Sequence, residues 1–360
     1  MRTWLAVAAM GLGVGVLWSA AAPGGGPTDA DLVKAFREEC AAKAAAADKA
    51  ETMTVVGKDG WLFFARELRH ISVGPFWGEA AAKVSRADKP ESADPLPAIL
   101  DFKAQCDKAG IELVLVPVPP KAIVYPDMLG DAVKAGPDGP PRLDTAHQEF
   151  YALLRQKGLT VLDLTADFIA HRNDKEGAIF CKQDTHWSDL ACILAAKKIA
   201  EVLKDRPWLK DRPKLTLTSE RREIELRGDL WAAMTGAKPP AEKINVRLVG
   251  AKGDAGLAPV EPDRASPIVL LGDSHNLVFH SGDDMQCREA GLADQLALET
   301  GLAVDLIGVR GSGATPARVN LLRRARADPE YLGKKKVIVW CFAAREFTES
   351  AGWQKVAIVK

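Results

Sequence analysis

From residue 97 to residue 342 the sequence alternates between segments of helical and of strand character, which limits the chain to a small set of folds. Residues 97–109 read as a helix that stops at Gly110, and 111–116 (IELVLV) as a buried strand. Residues 142–157 read as a helix stopped by Gly158, with 159–164 as the next strand. Residues 188–204 have helical amphipathicity, with Ser188 as the N-cap. After a charged, less regular insert over 205–262, the pattern resumes. Strand 268–271 (IVLL) is followed by helix 289–300 ending at Gly301, then strand 302–308 and the last apolar strand 336–342 (KVIVWCF). Near-continuous apolar strands separated by helices predict an α/β domain: a mostly parallel sheet with helices on both faces. Ligands of such sheets bind at the carboxyl ends of the strands.

The N-terminal part reads differently. Arg2 precedes an apolar run over residues 4–18, and small residues follow at 19–22. That order is expected of a secretory signal. Left uncut, residues 4–22 are just long enough to span a bilayer, so the segment is read as a signal peptide or an N-terminal membrane anchor. Residues 23–28 (PGGGPT) read as a linker, and 29–47 as an Ala-rich helix capped by Thr28 or Asp29, loosely joined to the body. The expected division is therefore 1–22 leader or anchor, 23–50 linker and helical segment, and 51–360 the α/β domain. Within the last, apolar residues flank Lys58-Asp59-Gly60 and signal a hairpin, and residues 74–97 read as irregular. Acidic and basic residues balance at 48 each without a basic stripe, which argues against nucleic acid as a partner. Six cysteines permit disulfides in an exported chain, or are buried small hydrophobes; none forms a C-x-x-C pair.

Two short segments lie where the strand-end rule puts chemistry. In Leu271-Gly272-Asp273-Ser274-His275 an apolar strand runs into a tight turn that presents Ser274, either as a nucleophile or as the cap of the next helix. In Asp184-Thr185-His186 an extended backbone places carboxylate and imidazole on one face. The carboxylate can then fix the tautomer while the other ring nitrogen takes a proton from serine, a nucleophile that needs such a base. His275 and His280 are nearer Ser274 in sequence, but neighbours at a turn point apart. His70, His147 and His171 lack the same setting. Because Asp273-x-His275 repeats the D-x-H spacing, the four residues also suggest a divalent-metal site as an alternative. The serine reading needs no metal and no cofactor.

The strand-end Gly-Asp-Ser, with a separate Asp-x-His, resembles the SGNH (GDSL-like) hydrolase superfamily. The run Asp184-Thr185-His186-Trp187-Ser188, placed before Gly272-Asp273-Ser274, is similar to the alginate O-acetyltransferase branch, where the order of the two blocks is reversed. Gly57–Phe63 resembles that branch's hairpin, Val116–Lys121 its strand-end P-x-K segment, Gly311–Ala314 a glycine-rich loop, and Trp340–Glu346 its last strand with a following arginine. The resemblance implies a three-layer SGNH-like domain with permuted catalytic blocks. It implies a periplasmic enzyme that moves acetyl onto hydroxyls of an alginate-like exopolysaccharide, supplied by a membrane-bound O-acyltransferase. It maps the nucleophile to Ser274, the base to His186 and the orienter to Asp184. Gly311 or Gly313 is expected to supply an oxyanion N–H. Arg345 and Lys121 are expected to contact substrate, or to be ordinary surface charges. Trp187 is expected to stack on a sugar or to be a core aromatic. His275 departs from the family, which carries an aromatic at that position. An esterase with the same triad, or a non-catalytic polysaccharide-binding scaffold, is compatible with the same residues.

Overall fold

A computed structural model describes residues 28–253 and 256–359 of the chain. The segment read as a signal or anchor, and most of the adjoining linker, lie outside the described residues. Twelve strands occur among them: β1 (Thr54–Val56), β2 (Leu62–Phe64), β3 (Glu112–Val118), β4 (Thr160–Val161), β5 (Thr218–Leu226), β6 (Glu242–Gly253), β7 (Gly256–Ala258), β8 (Ile268–Gly272), β9 (Ser281–Gly282), β10 (Met285–Arg288), β11 (Asp305–Gly308) and β12 (Val337–Ala343). Five form the central sheet in the order β11-β8-β12-β3-β4, with every neighbouring pair parallel.

Alternation along each strand divides the core between the two faces of this sheet. Val114, Val116, Leu270, Val339 and Cys341 join one cluster, with Phe36 and Cys40 of the helix Asp29–Lys49, Ala195 of the helix Asp189–Leu203 and Leu296 of the helix Leu292–Thr300. Leu113, Leu115, Val269, Leu271, Ile338 and Trp340 join the other, with Phe102 of the helix Pro95–Lys108, Phe150 of Thr145–Gln156 and Leu321 of Thr315–Ala327. The result is the three-layer α/β architecture expected from the alternating pattern.

Several boundaries differ from the sequence reading. The Ala-rich helix, expected to sit loosely, is seated in the core: Phe36 and Cys40 are fully buried, and Thr28 closes a capping box with Asp31. Strand 159–164 shrinks to two residues. The charged insert is more regular than expected: β5 and β6 form an antiparallel ribbon paired from Thr218↔Gly250 to Leu226↔Glu242. A helix over Thr315–Ala327 and the hairpin β9–β10 were not anticipated. The six cysteines are all free thiols, five of them buried and Cys287 partly so. Among the described residues no helix is long and apolar enough to cross a membrane.

Candidate active site

The turn after β8 is shaped by close approach of two backbones. A Cβ at Gly272 would lie 1.6 Å from the carbonyl oxygen of Cys341 on β12, and its φ is +158°, so glycine alone fits there. Asp273 then locks the turn: Oδ1 accepts the His275 N–H at 2.9 Å and Oδ2 accepts the Ala343 N–H at 2.7 Å. Asn276 Nδ2 donates to the Cys341 carbonyl at 2.8 Å. Ser274 opens a single 3₁₀ turn, Ser274–Asn276, at the carboxyl end of the strand.

The second segment is built by a separate set of contacts. The helix Asp189–Leu203 is capped by Ser188 Oγ, which accepts from Ala191 N–H, while Phe180 and Trp187 form a bridge across the preceding loop. From beneath, Lys121 Nζ donates to the carbonyls of Leu62 (2.9 Å), Cys181 (2.8 Å) and Asp184, while its own N–H donates to Glu67 Oε1 at 2.7 Å. From the insert, Gly228 presses so closely that a Cβ there would lie 2.2 Å from the Gln183 carbonyl. The next residue, Asp229, accepts Thr185 N–H at 2.7 Å and Thr185 Oγ–H at 2.6 Å.

These two supports bring together residues 88 positions apart. His186 Nε2 lies 2.7 Å from Ser274 Oγ, and His186 Nδ1 lies 2.6 Å from Asp184 Oδ1. The other carboxylate oxygen of Asp184 accepts from Asp229 N–H at 3.2 Å and from Gln286 Nε2 at 3.0 Å. Ser274 is 8% exposed and His186 6%, which leaves a narrow approach to the hydroxyl. Burial disfavours the imidazolium, but the charge and hydrogen bond of Asp184 outweigh it, so the His186 pKa stands above its ordinary value. Burial opposes ionisation of Asp184 as well, yet His186 and Lys121 hold it well below the usual carboxylate range. Asp229 is pushed up by burial and by the neighbouring Asp184 charge.

The remaining expected site residues have varied placements. Trp187 is fully buried with Nε1 donating to the His275 carbonyl at 3.0 Å, so its ring is a core aromatic rather than a sugar platform. Lys121 is not a surface charge or an open substrate contact, because its ammonium faces inward onto four backbone carbonyls. Arg345 is also largely buried, over the Phe64 ring, with Nη1 3.9 Å from Glu67 Oε2 but without a hydrogen bond. Gly313 presses onto the Ser274 turn, where a Cβ would lie 2.8 Å from Asp273 N. Gly311, with φ +98°, lines a polar cavity of about 470 Å³ with Arg66, Arg86 and Glu346. Among the described residues the N–H groups of Ser274 and Gly313 meet no backbone acceptor.

The four-residue metal alternative does not assemble. The side chains that do group, within 4.8 Å, are Asp184, His186 and Asp229, whose oxygens already accept from the N–H and O–H donors just described. Asp273 is committed to the turn, and burial lowers the His275 pKa to about 4 despite Asp273 beside it, keeping that ring neutral. Sequence reasoning missed Asp229 and Gln286, which lie 45 and 102 residues from Asp184 and carry no local signature.

The family described as "SGNH hydrolase-like domain, acetyltransferase AlgX" matches residues 54–344. The probable alginate O-acetylase AlgJ of Pseudomonas putida is 26% identical over 301 residues, 81% of this chain and 69% of that protein. Its namesake from Pseudomonas syringae pv. tomato is 27% identical over 302 residues, 81% of this chain and 68% of that protein. The solved O-acetyltransferase domain of Pseudomonas putida AlgJ superposes with a TM-score of 0.60 at 22% identity, covering 82% of this chain and 92% of that one. The structure of Pseudomonas aeruginosa AlgX gives 0.57 at 23% identity, covering 81% and 62%. At these identities the structural likenesses speak to the fold, which is that of the SGNH-like domain.

Proposed function

This chain belongs to the family of AlgX-type acetyltransferases with an SGNH hydrolase-like domain, and on that premise we propose that it transfers acetyl onto hydroxyls of an exported, alginate-like polysaccharide through an acetyl-Ser274 intermediate. One observation carries the reading: the 2.7 Å contact of Ser274 Oγ with a His186 ring whose other nitrogen meets Asp184. In the first step His186 Nε2 takes the Ser274 proton as Oγ attacks the acetyl carbonyl. The N–H groups of Ser274 and Gly313 receive the oxyanion. The carbon–leaving-group bond then breaks, and His186 returns the proton to the departing oxygen. In the second step a sugar hydroxyl gives its proton to His186 and attacks the acetyl carbon; Ser274 Oγ leaves and is reprotonated. Asp184 stays ionised throughout and stabilises the imidazolium.

Residues 1–22, read as a leader or anchor ahead of the linker and helical segment of 23–50, support a periplasmic location for the acyltransferase domain of 51–360, onto whose core the helix Asp29–Lys49 packs. There it meets a membrane-bound O-acyltransferase as acetyl source and the exopolysaccharide as acceptor. The relatives' names, those of probable alginate O-acetylases, support the alginate-acetylating part of this reading. The test is incubation of the purified protein with a small acetyl ester, with and without a uronate oligosaccharide. Acetylated oligosaccharide that disappears in Ser274→Ala is the expected product. Free acetate alone would make the protein an esterase, and polysaccharide binding without turnover would make it a scaffold.

A further inference from the structure

Six non-glycine residues of the described chain have positive φ, and four of them, Phe279, Asp283, Gln286 and Glu289, fall within eleven residues just after the nucleophile turn. Side chains there pay a steric penalty that neighbouring structure must overcome, and such strain concentrates at functional sites. This strained segment is the hairpin β9–β10, closed at its base by Phe279 N–H to Met285 O and Ala290 N–H to Phe279 O, both 2.8 Å. It is pinned at two points. Asp284 receives a two-pronged contact from Arg310, at 2.6 and 2.7 Å, beside the glycine loop. Gln286, at φ +74°, delivers its amide to Asp184 Oδ2 at 3.0 Å.

From this geometry we propose that Gln286 is a positioning residue for acyl transfer, acting on His186 through Asp184. Asp184 Oδ1 is occupied by the His186 N–H groups, so the rotation of the carboxylate is set by what holds Oδ2. Two donors hold it, the Asp229 N–H and the Gln286 amide, from opposite chain segments. The Gln286 amide also draws charge toward Oδ2 and away from the imidazole, which tempers the His186 pKa that Asp184 raises. The titratable and charged groups facing that imidazole are Asp184, Asp229, Arg345 and the His275 ring, whose centroid lies 4.9 Å from that of His186. A tight turn without this role would be expected to carry glycine or asparagine at such a φ.

The proposal rests on Ser274 and His186 being nucleophile and base, and two substitutions separate it from a merely structural turn. Gln286→Gly relieves the backbone and removes the donor; Gln286→Met keeps the strain and a side chain of similar length while removing the donor. Turnover of a small acetyl ester, thermal melting and an NMR titration of the His186 ring are measured for both and for the full wild-type chain. The expected result is a fall in kcat of about tenfold in both variants with KM little changed. Gln286→Gly should melt no lower than wild type, so activity and stability part company. The His186 midpoint should rise in both variants by about half a pH unit. Wild-type kcat in Gln286→Gly, or an unmoved His186 midpoint in both variants, overturns the proposal. The titration reads the proposal even if wild type shows no turnover: a raised midpoint then upholds Gln286 while the acetyl-transfer reading itself fails.

Discussion

Replacing Lys121 with methionine removes the buried ammonium that joins the hairpin β1–β2, the Cys181 segment and the Asp184 loop, while retaining an apolar stem. Its three closest acceptors are the carbonyls of Leu62, Cys181 and Asp184, with that of Lys182 farther off at 3.5 Å. A hydrogen bond from a charged donor is worth about 1.5–3 kcal/mol net, which taken three times would suggest about 4.5–9 kcal/mol. The cost of burying the ammonium opposes this, and is visible in the lowered Lys121 pKa. Breaking buried charged contacts in other proteins typically costs about 3–5 kcal/mol, so we expect a loss of about 4 kcal/mol. Glu67 also loses a facing positive charge, and its already raised pKa climbs further. Neutralising it in the same chain, as Lys121→Met with Glu67→Gln, should recover part of the loss. Urea unfolding followed by tryptophan fluorescence reads the effect as a lower midpoint at unchanged slope. Because the Asp184 carbonyl is freed, kcat should fall as well. A loss below about 1 kcal/mol, with kcat intact, would refute the idea that Lys121 holds the base in place.

Other substitutions probe the same construction. Gly272→Ala places a Cβ 1.6 Å from the Cys341 carbonyl, which β8 and β12 can accommodate only by separating; a cost above about 4 kcal/mol, or failure to fold, is expected in denaturant unfolding. Asp184→Asn keeps the shape but removes the charge and disturbs the His186 tautomer, and should lower kcat by about a thousandfold or more. The raised His186 pKa puts the acid limb of kcat/KM above pH 6.5, since the base must be neutral to accept the Ser274 proton. The same shift stabilises the fold fully below pH 6.5 and is lost as pH rises through the folded value, so Asp184→Asn should flatten that part of a stability-versus-pH curve. His275→Phe removes the 3.1 Å contact of the ring with Asp273 but leaves the two backbone donors to that carboxylate; a cost of about 1–3 kcal/mol in urea unfolding is expected.

The sheet was legible because its strands are buried on both faces and therefore apolar throughout, with Gly110, Gly158 and Gly301 all in left-handed conformation at the ends of helices. The ribbon β5–β6 was not legible for the opposite reason. Thr218–Leu226 is polar and exposed along nearly its whole length, so neither face writes an apolar period into the sequence. The helix Thr315–Ala327 was obscured by its arginines, of which Arg318 is buried against the Trp340 ring rather than solvated. The left-handed backbone around β9–β10 includes Gly282 but also Phe279, Asp283, Gln286 and Glu289, whose side chains carry no strong turn signal between them.

In the site, Asp184, His186 and Ser274 could be read because each sits in a short segment whose chemistry is local. What supports them could not, since Asp229 and Gln286 reach Asp184 only through tertiary contact. Lys121 shows the difference well. Its strand-end position suggested a ligand contact, but its neighbours Pro119, Pro120, Ala122, Ile123 and Val124 are apolar, and all are buried around it. That surrounding composition was the available sign that the ammonium turns inward.

The proposed acetyl transfer depends most on Ser274 Oγ being the atom that carries the acetyl group. Brief incubation with a small acetyl ester, acid quenching and peptide mass spectrometry would locate the modification. We predict one acetyl group on the peptide containing Ser274, absent in Ser274→Ala and strongly reduced in His186→Ala. Acetylation of another residue, or undiminished turnover by Ser274→Ala, would contradict it.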